Sequence, residues 1–105
     1  MRVFDKSVWI EWMIGTPAGQ TFNPAFEAIE SCIVPSLVQF ELFRWHLRER
    51  TREEAERLLA FSMSGIVVPL DSQTAVHAAE LSREHRLHAS DAIIYATAGF
   101  STQRW

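Results

Sequence analysis

Three short apolar segments recur along the chain and predict buried β-strands. They are Arg2–Phe4, Cys32–Val34 and Gly65–Val68. Each contains valine or isoleucine, and β-branched side chains favour strand over helix. The stretches between these segments are long enough to hold helices, and strands joined in that way run parallel to one another.

Capping residues directly after these segments predict where helices begin. Ser7 is the expected N-cap of a helix over residues 8–13, Ser36 of a helix from residue 37 onward, and Asp71 of a long helix to about residue 86. Gly15 and Gly99 are the expected ends of the first and last helices, because glycine readily adopts the left-handed conformation of a C-terminal cap.

Proline and capping-box positions predict three further helices. They cover residues 25–31 after Asn23-Pro24, residues 55–63 after Thr51-Arg52-Glu53-Glu54, and residues 92–98 after Ser90-Asp91. Each strand is thus followed by two helices. This order predicts an α/β fold, a three-layer α/β/α sandwich around a short parallel sheet, formed by one domain over residues 1–105.

Composition and charge narrow the class of protein. Hydrophobic residues make up 48% of the 105 residues, which is enough for a core. A formal net charge of −3 argues against a protein that grips nucleic acid by bulk basic charge. Cys32 is the single cysteine, which excludes an intrachain disulfide and fits a reducing compartment. No apolar run resembles a signal peptide or a membrane span, so we expect a cytoplasmic protein.

Three acidic residues occupy positions where chemistry is expected in such a sheet. Asp5 directly follows the first strand, Glu41 lies in the helix after the second, and Asp91 opens the last helix. Ligands of parallel sheets bind beyond the carboxyl ends of the strands. Carboxylates gathered there suit Mg²⁺ or Mn²⁺, which activates water toward a phosphate. Spacing alone leaves open the alternative that these residues are helix caps or solvated charges.

The residues around these three acids resemble the motifs of a known family. Val3-Phe4-Asp5-Lys6-Ser7 is similar to the opening of PIN domains of the toxin type, called VapC-like. The stretch over residues 34–42, which holds Glu41, resembles their second motif. The stretch over residues 87–98, with Asp91-Ala92-Ile93-Ile94, resembles their third. The three motifs occur in the family's order and spacing, and together they span residues 1–98.

The resemblance implies a function and a set of site residues. It implies an endoribonuclease that uses Mg²⁺ or Mn²⁺ and is the toxin of a type II toxin–antitoxin pair. Asp5, Glu41 and Asp91 would be the catalytic and metal-binding residues, with Ser7 as a hydroxyl near the site. The implied partners are RNA, a cognate antitoxin protein and further copies of the chain in a homodimer or higher oligomer, with no membrane.

Two departures from the family pattern qualify this expectation. The family continues after the third motif with another strand and a further acidic residue, whereas no acidic residue follows Asp91 here. We therefore expect a C-terminally shortened domain whose last strands are missing. Its first strand would form an exposed edge, covered by another copy, the tail or a partner. The second departure is Lys6, which stands where a small residue is usual.

Alternatives of other kinds fit less well. A shortened, catalytically impaired member that still binds a partner shares the fold and differs only at the site. A receiver-like signalling domain or a nucleotide-binding fold lacks its required residues, including a glycine-rich phosphate loop. We interpret the arginine run over residues 44–57 as a solvated face with ion pairs such as Glu53–Arg57. We expect the histidines at the surface or at interfaces: His46, His77, His85 and His88.

Overall fold

The computed structural model of the chain describes residues 2–102, with side chains up to residue 99. Strands and helices alternate along this range, as the sequence predicts. In chain order they are β1 (Arg2–Val3), α1 (Lys6–Ile14), α2 (Pro17–Gln20), α3 (Asn23–Glu27), a 3₁₀ turn (Ile29–Ser31), β2 (Cys32–Pro35), α4 (Ser36–Glu49), α5 (Arg52–Ser62), β3 (Ile66–Val68), α6 (Ser72–His85) and α7 (Ala89–Thr102).

The described strands form one parallel sheet in the order β1-β2-β3. Val3 pairs with Ile33, and Ile33 in turn pairs with Ile66. The central strand, β2, is buried along its whole length. The parallel sheet expected from the apolar segments is therefore confirmed, and β1 is an edge strand within the described part of the chain.

Aromatic side chains form the core on one face of the sheet. Trp9 and Phe26 are buried, and the ring of Trp12 stacks on that of Phe26 at a centroid distance of 4.1 Å. Cys32 and Val34 of β2 join this core. Ile33 points to the opposite face and is buried as well, so both faces of the sheet are covered.

Helices α6 and α7 pack against each other through alanines. Ala78 of α6 and Ala92 and Ala96 of α7 are buried at this contact, with Leu81 and Ile93 beside them. Small side chains let the two helix backbones approach closely. Helix α7 also contacts β1 and β2, so the pair is anchored on the sheet.

Cys32 lies on the central strand, and its thiol is enclosed. Its Sγ lies 3.5 Å from the Ala25 carbonyl oxygen, and the residue is 3% exposed. Burial raises the pKa of the Cys32 thiol, because an apolar environment disfavours the thiolate.

The N-caps predicted at Ser7, Asn23 and Ser36 were wrong, and those at Thr51 and Asp71 were confirmed; Asn23 is the first residue of α3 and makes no capping bond. Asp5, not Ser7, caps α1, because the Asp5 carboxylate accepts the hydrogen bond from the Val8 N–H. Ser36 is the first residue of α4, and its hydroxyl instead accepts from the Leu70 N–H, 3.1 Å away. Thr51 and Asp71 cap α5 and α6 as the sequence predicts, each accepting a backbone N–H three residues ahead.

Several helix ends differ from the predicted ones. Gly15 ends α1 with a φ of 86°, as expected. Helix α7 begins at Ala89 and continues through Gly99 to Thr102, because a glycine inside a helix weakens it without having to end it. The helix expected over residues 25–31 is interrupted at Ala28 and ends in the 3₁₀ turn. Residues 103–105, part of the tail expected to cover β1, lie outside the described residues.

The expectation that the histidines lie at the surface or at interfaces was wrong for His46. This side chain is fully buried. Its Nδ1–H donates to the Leu42 carbonyl oxygen at 2.8 Å, and its Nε2 lies 3.1 Å from the Met13 sulfur. A helix-internal hydrogen bond to the carbonyl four residues back satisfies the ring, so His46 links α4 to α1.

No helix in the described range is long and apolar enough to cross a membrane.

Candidate metal and catalytic site

Asp5 lies at the junction of β1 and α1. Its Oδ1 accepts a hydrogen bond from the Val8 N–H at 3.2 Å, which fixes the carboxylate at the start of the helix. The residue is partly buried. Oδ2 makes no hydrogen bond or ion pair with any residue that the structure describes. Asp5 is therefore a helix cap that still has one oxygen available for a ligand.

Glu41 lies in the second turn of α4, on the flank opposite α5. The Gln39 amide donates to the Ser62 hydroxyl at 3.0 Å, so Gln39 marks the flank that faces α5. Successive side chains of a helix are rotated by about 100° around its axis, so Glu41, two residues after Gln39, points about 200° away from the direction of Gln39. The rotation of α4 is set by Val38, Leu42 and His46, which are buried at intervals of four residues. Glu41 is partly buried and has no hydrogen bond or ion pair within the described chain.

Asp91 lies in the first turn of α7. Its neighbour Ala92 and the nearby Ile94 are buried, so the helix is held firmly around it. A carboxylate near a helix N-terminus is stabilised by the unpaired N–H groups there. Asp91 is partly buried, and no described residue forms a hydrogen bond or ion pair with its side chain.

The elements that carry these three carboxylates contact one another. Helix α1 packs against α4, α4 against α7, and α7 against β1. Even so, the described residues contain no group of three or more His, Cys, Asp or Glu side chains that could hold a metal ion. The structure thus places the three acids on adjoining elements without gathering them into one ligand set.

The residues beside Asp5 differ in their surroundings. Ser7 is exposed in the first turn of α1. Lys6 is partly buried and forms no ion pair with the residues that the structure describes. Glu11 is partly buried, and its Oε1 accepts from the Thr16 hydroxyl at 3.1 Å. Glu11 is therefore engaged in the contact between α1 and α2.

Four arginines of the α4–α5 hairpin form ion pairs with glutamates, whereas Arg44 lies over the Phe40 ring, 5.4 Å from its centroid. Arg57 meets Glu53 at 2.8 Å, as the sequence predicts, and other pairs of the same kind follow along the hairpin: Arg48–Glu49, Arg50–Glu54 and Arg52–Glu56. All of these side chains are substantially exposed. This face is charged but locally neutralised, which confirms the interpretation as a solvated face.

One exposed aromatic residue near Asp91 was missed in the sequence. Tyr95 is 60% exposed and lies one helical turn after Asp91. The sequence feature that indicates its exposure is its position four residues after Asp91, on a helix whose other positions are mostly apolar or small.

Comparison with known proteins agrees with this architecture. Residues 2–101 match the PIN domain family. A chain in a structure described as a toxin-antitoxin complex from Klebsiella pneumoniae has a similar fold, with a TM-score of 0.79. The two chains are 18% identical, and the match covers 96% of this chain and 80% of that one. No curated protein shows a significant sequence match. At this level of identity the structural similarity concerns the fold alone.

Proposed function

Because this chain belongs to the PIN-domain family, whose members are generally nucleases, we propose that it is a metal-dependent endoribonuclease that hydrolyses RNA phosphodiester bonds. We further propose that it is the toxin of a type II toxin–antitoxin pair and acts in the cytoplasm. The family match over nearly the whole described chain is the observation that carries the proposal. The similarity to a chain of a toxin–antitoxin complex supports the second part.

The proposed site consists of Asp5, Glu41 and Asp91, with Ser7 nearby. Carboxylate oxygens are the donors that Mg²⁺ and Mn²⁺ prefer. Glu41, Asp91 and one oxygen of Asp5 have no partner among the described residues, so their chemistry fits such an ion. When bound, the ion would supply positive charge for the phosphate and lower the pKa of a water molecule.

The chain's own residues would orient the reactants and accept the proton. The Val8 N–H donates to the Asp5 carboxylate and holds it in one orientation. Water attacks phosphorus in line, and its proton passes to Glu41 or Asp91. As the new P–O bond forms, the bond to the leaving ribose oxygen breaks, and that oxygen takes a proton from solvent.

The proposed protein partners are an antitoxin and a second copy of the chain. An apolar groove of about 440 Å³ runs along α4 and α5, lined by Phe40, Phe43, Leu47 and Leu59 among others. Phe40 is 57% exposed. Exposed aromatic residues at a groove are typical of protein interfaces, which supports a partner on this face.

Cleavage of single-stranded RNA in the presence of Mn²⁺ tests the proposed function. We expect the wild-type chain to cleave and Asp5→Asn to lose activity by about 10²-fold or more, because the substitution removes a charged ligand. Asparagine also caps helices well, so α1 should remain folded. Asp71→Asn is the matched control, since Asp71 also caps a helix but lies outside the proposed site. Equal cleavage by wild type and Asp5→Asn would overturn the proposal.

A second candidate is a PIN-domain protein that has lost catalysis but still binds its partner. The observation in its favour is that the described residues do not gather the three acids into a ligand set. Calorimetric titration with Mn²⁺ separates the two candidates. The nuclease should bind the ion, and Asp91→Asn should weaken that binding. A chain that neither binds Mn²⁺ nor cleaves RNA would favour the second candidate.

A further inference from the structure

Between residues 91 and 99, the positions of helix α7 are buried or partly buried except Tyr95. Ala92, Ile94, Ala96 and Thr97 are buried, whereas Tyr95 is 60% exposed. The buried residues fix the rotation of the helix, so Tyr95 faces solvent because of how α7 packs.

Asp91, which is partly buried, lies one turn before the exposed Tyr95 on the same face of α7. Residues four apart on a helix are neighbours, with about 5–6 Å between their Cβ atoms. A large aromatic ring therefore stands next to one of the three proposed site carboxylates. Tyr95 is also the single tyrosine of the chain.

Because the protein is negatively charged, it attracts RNA phosphates weakly, and contacts that do not depend on charge matter more for RNA binding. The formal net charge is −3, and four of the five arginines of the α4–α5 hairpin, Arg48, Arg50, Arg52 and Arg57, are paired with glutamates. Phosphate contacts from this hairpin are therefore weakened. Stacking of a nucleobase on an aromatic side chain does not depend on charge, and it contributes a factor of about 5 to 150 in affinity per base.

We propose that Tyr95 is a stacking platform for one base of a single-stranded RNA substrate. This inference rests on the proposed nuclease function. A base stacked on Tyr95 would hold the adjoining phosphodiester beside Asp91. Bases in a duplex are already stacked inside the helix and are not free to reach the ring. The platform thus selects single-stranded over double-stranded RNA.

Binding measurements with a non-cleaving protein test the platform. In the Asp5→Asn background, the affinity for a labelled single-stranded RNA is measured by fluorescence anisotropy. Tyr95→Ala should weaken binding by about 5- to 150-fold, whereas Tyr95→Phe, which keeps the ring, should stay within about twofold of the parent. The dependence of affinity on salt concentration should be the same for all three, because stacking releases no counterions.

Met63→Ala is the matched control. Met63 is also 60% exposed, and its sulfur lies 3.4 Å from the Gln39 amide, on the flank of α4 opposite Glu41. Removing this side chain should leave RNA affinity unchanged. A loss as large as that of Tyr95→Ala would mean that general apolar exposure matters, and the platform would be refuted.

The remaining outcomes separate the platform from the nuclease itself. If wild type cleaves RNA and Tyr95→Ala binds as well as Tyr95→Phe, the platform is wrong and the nuclease stands. If wild type neither binds nor cleaves, both proposals fail. If Tyr95→Ala leaves RNA affinity unchanged but lowers the mass found by light scattering, Tyr95 contacts protein, which also overturns the platform.

Discussion

At the scale of single residues, Asp5 shows how one carboxylate can serve a fold and a site together. Its capping bond to the Val8 N–H uses one oxygen and leaves the other available. The sequence placed Asp5 correctly after β1 but assigned the cap to Ser7. Aspartate and serine are both good N-caps, so local preference cannot choose between them. The choice depends on where β1 ends, which tertiary packing decides.

Asp71 allows a prediction about pH at this same scale. The hydrogen bond from the Thr74 N–H lowers the pKa of Asp71 below its usual value of 3.8. A group whose native pKa is lowered stabilises the fold above its unfolded pKa, and this contribution is lost as pH falls through the native pKa.

Comparison with Asp71→Asn isolates this effect, because asparagine keeps a capping oxygen but does not titrate. We expect the difference in melting temperature, wild type minus variant, to be constant near neutral pH and to decline below about pH 4. Thermal melts followed by circular dichroism between pH 7 and pH 2 measure it. A difference that stays flat, or that grows as pH falls, would contradict the assigned role of Asp71.

At the scale of elements, the sequence predicted strands better than helix ends. The three apolar segments correspond to β1, β2 and β3, but the prediction that all three are buried holds only for β2: β3 is partly buried, and Arg2 of β1 is exposed. The short helix α2 was missed, although Thr16 before Pro17 marks its start: the Thr16 hydroxyl accepts the Gly19 N–H at 2.9 Å. The extension of α7 past Gly99 was not predictable from the glycine, since packing on the sheet outweighs its weak helix preference.

Two glycines on different helices provide an element-scale prediction. A Cβ at Gly19 would collide with the backbone of Glu11 and Trp12, so α1 and α2 approach each other too closely for any side chain. Gly19→Ala should lower the free energy of unfolding by about 1–3 kcal/mol or more, because a helix must move.

Gly99→Ala is the control for this prediction. A Cβ at Gly99 meets nothing within 4 Å in the described structure, and the residue lies inside α7. This substitution should raise the free energy of unfolding by about 0.5–1 kcal/mol through helix preference. Urea denaturation of both variants measures the two changes. Equal effects of the two substitutions would show that the close contact of α1 and α2 does not matter.

At the scale of the whole molecule, the sequence predicted the parallel sheet and its helices on both faces. It also placed the three acids on elements that the fold brings into contact: α1, α4 and α7. It could not predict how closely the acids approach one another, because this depends on side-chain rotamers and on the crossing of α7 over the sheet. Nor could it predict the burial of His46, which follows from the packing of α4 on α1 rather than from a local pattern.

Because Cys32 is enclosed, the reactivity of its thiol measures how often the structure around it opens. The thiol is the single one in the chain, and it lies on the central strand, which is paired on both sides. Its Sγ faces the Ala25 and Ala28 carbonyl oxygens, so a thiol reagent reaches it only when the segment over residues 25–31 moves away from β2, and the labelling rate reports how often that happens.

We expect Cys32 to react far more slowly in the native protein than in urea, with mass spectrometry as the measure. When opening and closing are fast relative to labelling, Gly19→Ala should speed native labelling about tenfold for every 1.4 kcal/mol of stability it removes. Native labelling as fast as in urea would contradict the enclosure. The stability of every variant considered above can therefore be compared through the labelling rate of its own Cys32, with no added probe.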